Sequence, residues 1–237
     1  MAALRHPDDL LRVGTSAQSV LRPLELTAGV GAVLFSPIFG AGIDRQRVSA
    51  FGVSLGGVTV LAAAGGRMNG SLSAEHCSNN AQADLGFCVG KPGGELMPIW
   101  LRLRRAVCRV PPVNLDQDLY NRRFQLRVLA APDGLPFDDL SAVTVPVMLP
   151  RVGADVTLRF PYHAQRLHLR LLNPNRYEVI EGSHHYVFLS PFPDRISKEV
   201  GRPAQDRLGF DRRPFLNRIN AEIVRFFQGC FAAISGG

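Results

Sequence analysis

Residues 47–67 read RVSAFGVSLGGVTVLAAAGGR, and this stretch limits the fold more tightly than any other in the chain. A short apolar run, with Val48, Ala50, Phe51 and Val53, predicts a buried strand. A serine between glycines follows, and then LGGVTVLAAAGG, whose length and small residues predict a buried helix ended by its glycine pair. A strand that turns into a helix through so few residues needs a sharp backbone reversal. Tiny neighbours at Gly52 and Gly56 would permit that reversal, and Gly57 adds room for the helix to lie on the strand.

The rest of the chain repeats the alternation. Pro23 opens a helical spacing of Leu24, Leu26, Val30, Val33 and Leu34 that SPIFGAG ends, and residues 1–22 read as loop or frayed terminus. Strands are predicted at FQLRVLAAP (124–132), VTVPVMLPRVGAD (143–155) and RYEVIEG (176–182), and helices at HAQRLHLRLL (163–172) and LNRINAEIVRFFQGCFAAI (216–234). Short apolar strands alternating with helices imply an α/β fold, a mostly parallel sheet covered on both faces. Residues 67–121 are irregular and rich in glycine and proline, and read as a lid-like insertion within a single domain of 1–237.

Composition narrows the functional classes. At 237 residues and 46 % hydrophobic, the chain can bury a sizeable core in one domain. Its longest apolar run, Val58 to Gly66, is too short to span a membrane. The net charge of +7 comes from 25 arginines against 2 lysines. Scattered arginines, dense only at Arg102, Arg104 and Arg105, read as solvated faces rather than as a nucleic-acid footprint. Cys77, Cys88, Cys108 and Cys230 have no metal-ligand spacing. Cys77 and Cys88 flank a polar loop that a disulfide would close in an oxidising compartment; two unrelated thiols are the other reading. The start, MAALRHPDDLLRVG, lacks a signal-peptide pattern, so the chain as written reads as cytoplasmic.

Gly52-Val53-Ser54-Leu55-Gly56 is G-x-S-x-G in the strand-to-helix context that a nucleophile elbow requires. Ser54 would be the nucleophile and the Leu55 N–H one oxyanion donor at a helix N-terminus; the alternative is a serine in a structural turn. A serine nucleophile needs a base and the base a carboxylate, in chain order serine, acid, histidine. His184 and His185 follow the last strand, where sheets of this class present functional loops. His6, His76 and His163 fall in loops or at a helix start, and His168 within a helix. Asp155 is the candidate acid and Asp133, in APDG, the runner-up.

These residues carry a resemblance. RVSAFGVSLGG, VPVMLPRVGAD, PYHAQRL, IEGSHHYVFLSP and FLNRINAEIVRFF resemble successive blocks of the α/β-hydrolase superfamily, in the right order over about residues 20–232. They are most similar to a bacterial group of predicted dienelactone hydrolases related to platelet-activating-factor acetylhydrolases. That group carries its catalytic histidine in A-G-H-F-x-F-L-x-P; Phe188, Leu189, Ser190 and Pro191 match its end, which sets His185 at the histidine and His184 where glycine is usual. The group's acid matches Asp155, with Val156 in place of a following acidic residue. True dienelactone hydrolase uses cysteine; Ser54 here implies a serine esterase acting on small-molecule or lipid esters, with no metal, organic cofactor or nucleic acid. Phe87, Trp100 and Leu101 are candidates for an acyl pocket, and plain packing is the equal reading.

The resemblance also implies a deficit. Family members have several strands before the elbow strand, and the 47 residues before Val48 offer one helix and no strand. The chain is therefore expected to be an N-terminally truncated hydrolase, with strands encoded upstream. A periplasmic or secreted protein would follow if a signal peptide went with them. The competing expectations are an inactive remnant or binding module of hydrolase shape, or an edge covered by residues 1–22 or a partner chain. Oligomeric state stays open.

Overall fold

A computed structural model describes residues 16–88, 114–115 and 117–235. The elements run α1 (Ser16–Leu34), β1 (Val48–Val53), α2 (Leu55–Ala63), β2 (Arg67–Met68), α3 (Ser71–Asn80) and α4 (Leu85–Cys88). Then follow β3 (Phe124–Ala130), β4 (Phe137–Asp139), β5 (Val147–Val152), α5 (Ala164–Arg170), β6 (Pro174–Ile180), α6 (Asp194–Val200) and α7 (Arg212–Ser235). Strands β1, β3, β5 and β6 form one parallel sheet in that spatial order, and β2 and β4 a small antiparallel pair. The α/β architecture expected from the alternation is present.

Side chains alternate across the strands and build a core on each face. On one face Ala50, Leu129, Val147 and Leu149 pack with Val20 of α1, Leu61 of α2 and Leu167 of α5. On the other, Val128, Met148, Val152 and Ile180 pack with Phe215, Ile219 and Ile223 of α7. The 3.6-residue periodicity of α7 explains why only one of its faces contributes.

Three sequence expectations change. α1 begins at Ser16, seven residues before Pro23, so part of the segment read as loop is helical; proline is tolerated there only near a helix start or at a cost. Within the segment read as an irregular insertion, residues 67–88 hold β2, α3 and α4, while most of residues 89–116 lie outside the described residues. Phe51 is 46 % exposed rather than buried, because β1 lies at the sheet edge and pairs, among the described residues, only with β3.

Two residues are unusual inside the sheet. Pro150 sits in the middle of β5, and its carbonyl accepts from the Ala131 N–H, so its missing N–H faces β3. The β3–β5 ladder accordingly registers only Arg127 with Val147 and Val128 with Met148, whereas β5–β6 runs unbroken from Val147 to Val152. Arg127 in β3 is fully buried, its guanidinium over the Phe124 ring and bonded to the Phe124 and Leu126 carbonyls. Burial lowers its pKa to about 10.

The close approach of α2 to the sheet is testable. A Cβ at Gly57 would stand 2.7 Å from the Pro132 Cβ, while one at Gly56 meets nothing. Gly57→Ala is expected to cost about 1–3 kcal/mol by overpacking. Gly56→Ala should cost nothing or stabilise through helix propensity. Urea midpoints of the two variants at unchanged m-value check the contrast.

Candidate functional site

Ser54 is the hinge between β1 and α2. Its φ of 54° and ψ of −120° lie outside the regions open to most L-residues, so the turn is strained. Bonds on both sides hold it there. The Ser54 N–H donates to the Ala130 carbonyl at the end of β3, and the Ser54 carbonyl accepts from the Gly57 and Val58 N–H groups. Gly52 is needed because a Cβ there would lie 2.1 Å from the Gly56 carbonyl oxygen. Gly56 itself faces open space, which corrects the expectation that it is one of the two sterically required glycines; Gly57 has that role.

The C-terminal ends of the parallel strands bring three predicted residues together. His185 Nε2 lies 2.9 Å from Ser54 Oγ, and His185 Nδ1 lies 2.8 Å from Asp155 Oδ2. Asp155 and His185 are both buried. The other Asp155 oxygen accepts from the Thr157 and Leu158 N–H groups at 2.8 and 2.9 Å, which fixes the carboxylate. The loops carrying the pair are themselves tied: Gly153 N–H donates to the Ile180 carbonyl and Ala154 N–H to the Ser183 carbonyl. Leu55, at the first position of α2, carries its N–H at the positive end of that helix, beside Ser54. With Nδ1 held by a carboxylate, Nε2 is free to accept a proton from the Ser54 hydroxyl.

The neighbouring His184 points away. It accepts from the Tyr186 N–H and meets the Gln205 carbonyl, and burial lowers its pKa. His168 stacks on Tyr177. His6 lies outside the described residues.

Asp133, the runner-up acid, belongs to a second polar cluster. Its carboxylate is 3.0 Å from His163 Nδ1, and His163 Nε2 is 2.9 Å from Asp84 Oδ2. That same Asp84 oxygen lies 3.0 Å from His76 Nε2. His163 and Asp84 are almost fully buried. Burial disfavours the imidazolium, but hydrogen bonds to Asp133 and Asp84 outweigh it and raise the His163 pKa to about 9. The same pairing, against its own burial, lowers the Asp84 pKa. His76 lies inside α3, not in the loop expected for it. Sequence reasoning missed this cluster; APDG and PYHAQRL showed polar residues at element ends, and nothing local linked either to Asp84.

Cys77 and Cys88 form a disulfide beside the cluster, the first of the two readings left open for them. A side-chain atom of Cys88 lies within 4.8 Å of ligand atoms of His76 and Asp84, but its sulfur is committed to Cys77, so two of the three are available to a metal. The Phe87 ring stands 5.0 Å from the His163 ring; Trp100, Leu101 and Cys108 lie outside the described residues. Among the described residues no helix is long and apolar enough to cross a membrane. Neither known family models nor curated proteins give a match to the chain.

The raised His163 pKa makes stability depend on pH. The protonated form is favoured by folding, so its contribution is complete below about pH 6.5 and lost as pH rises through about 9. The shift corresponds to on the order of 3 kcal/mol. Urea midpoints of the wild-type chain should fall across that window, and His163→Gln should flatten most of the slope.

Proposed function

We propose that the chain is a serine hydrolase of α/β-hydrolase fold that cleaves carboxylic esters through an acyl-enzyme. The observation that carries this reading is the continuous row from Ser54 through His185 to Asp155, set on a strained turn at the C-terminal ends of parallel strands. The sequence blocks that resemble the superfamily support it independently.

The chemistry follows from the row. His185 Nε2 takes the proton from Ser54 Oγ as the oxygen bonds to the ester carbonyl carbon. The carbonyl π electrons move onto oxygen, where the Leu55 N–H and the α2 dipole offset the charge. Collapse of the tetrahedral species breaks the bond to the alkoxy oxygen, and His185 hands that oxygen its proton. The alcohol leaves and Ser54 holds the acyl group. Water then gives a proton to His185, attacks the acyl carbon, and releases the acid with Ser54 restored. Asp155 keeps the imidazole in the tautomer with its proton on Nδ1 and stabilises the imidazolium. The Cys77–Cys88 bridge suits an oxidising compartment.

A second reading is a non-catalytic module of the same shape. It is favoured by the position of β1, which among the described residues has a neighbour on one side only. Reaction with a fluorophosphonate separates the two, since it needs an activated serine. Stoichiometric labelling that Ser54→Ala abolishes supports the hydrolase; a folded wild-type chain that does not label overturns it. Asp155→Asn should slow p-nitrophenyl ester hydrolysis by on the order of 10³–10⁴, as loss of the tautomer-holding carboxylate does elsewhere.

A further inference from the structure

The segment closed by the Cys77–Cys88 bridge lies against the loop that carries Asp155. Gly86 abuts it so tightly that a Cβ there would lie 1.8 Å from the Val156 carbonyl oxygen. The Arg159 guanidinium donates to the Ala83 carbonyl at 3.0 Å. His163 pairs with Asp84 at 2.9 Å. The rings of His76 and Phe87 pack on Tyr162 and His163, with centroids 4.7 and 5.0 Å apart. All these contacts fall between residues 76–88 and residues 156–163, which begin one residue after Asp155.

We propose that the disulfide-closed 77–88 segment is a positioning element for Asp155, with Asp84 and Gly86 as positioning residues, and that reducing the bridge lowers turnover at Ser54. The proposal rests on the hydrolase reading for its effect on turnover. The physical basis is chain entropy. The bridge closes a short loop of sequence separation 11, and α4 has only the four residues Leu85–Cys88 to hold its own shape. Without the cross-link, α4 has few internal bonds to keep Gly86 and Asp84 against the acid loop. The Thr157 and Leu158 amides, which fix the Asp155 carboxylate, then lose their support. Reduction needs a dithiol: two electrons and two protons pass to the cystine, giving two thiols, and the dithiol becomes a disulfide.

The test uses the full chain as oxidised protein, as protein treated with dithiothreitol, and as Cys77→Ser/Cys88→Ser. Two quantities are read: hydrogen exchange at the Thr157 and Leu158 amides, and kcat and KM for a p-nitrophenyl ester. Opening the bridge is expected to speed exchange at both amides and to lower kcat about tenfold to a hundredfold with KM little changed, the signature of a misplaced acid. Reoxidation should restore both in the wild type, and dithiothreitol should leave the double variant unchanged. Reversal in the wild type keeps the result readable if the double variant folds poorly. Gly86→Ala, with the bridge intact, should reproduce the kcat loss. Unchanged exchange and unchanged kcat on reduction would overturn the proposal. Faster exchange in a chain that never labels at Ser54 would overturn the hydrolase reading and with it the effect on turnover, while leaving the mechanical link between the two segments in place.

Discussion

The backbone reversal at Ser54 is the constraint on which the site depends. A serine at φ 54° is unfavourable by itself, and it persists only because its surroundings leave no other path. β3 takes its N–H, α2 takes its carbonyl, and Gly52 lets the first turn of α2 come within contact of the strand. The hydroxyl is thereby raised above the strand ends, where the loops after β5 and β6 also emerge. A parallel sheet delivers all these loops to one end, so residues separated by 131 positions in the chain can share a hydrogen bond.

The order of the strands then sorts the polar groups. The ladder bonds of β5 and β6 bring Gly153 and Ala154 against Ile180 and Ser183, so Asp155 and His185 leave the sheet side by side. Asp133 leaves from β3 and is drawn to His163, on the side of Asp84 and α3. Two carboxylates at the same end of one sheet thus serve two different imidazoles. Other ion pairs are arranged separately: Arg176 and Arg218 bridge Glu178 on β6 and the buried Glu222 on α7, and the buried Arg212 pairs with Asp206. Such pairs fasten the last helix and strand without touching the row.

Much of this was legible because it is local. The change of period at Ser54 marks a strand and then a helix. GVSLG marks a tight turn, although only its first glycine proves sterically required, and the apolar runs at 124–132 and 143–155 contain β3 and β5. Boundaries were less legible where tertiary contacts decide them. The strand predicted over 143–155 is only Val147–Val152, because the ladder to β6 ends there and residues 153–158 turn to grip the carboxylate. The full burial of Arg127 runs against its charge and follows from the central place of β3 in the sheet. Exposure of Phe51 follows from edge position, which periodicity does not encode. The pairing of Asp84 with His163 spans 79 residues and has no local signal at all.

The proton on His163 has a thermodynamic consequence of its own. In weakly alkaline solution an unfolded histidine is mostly neutral, while the one between Asp84 and Asp133 holds its proton up to about pH 9. Folding there is a proton-uptake reaction, and melting releases that proton to the solvent. The buffer must absorb it, with whatever heat its own ionisation carries. Calorimetric enthalpies of this protein are therefore properties of chain and buffer together, and runs in two buffers of different ionisation heat differ by an amount that counts the proton.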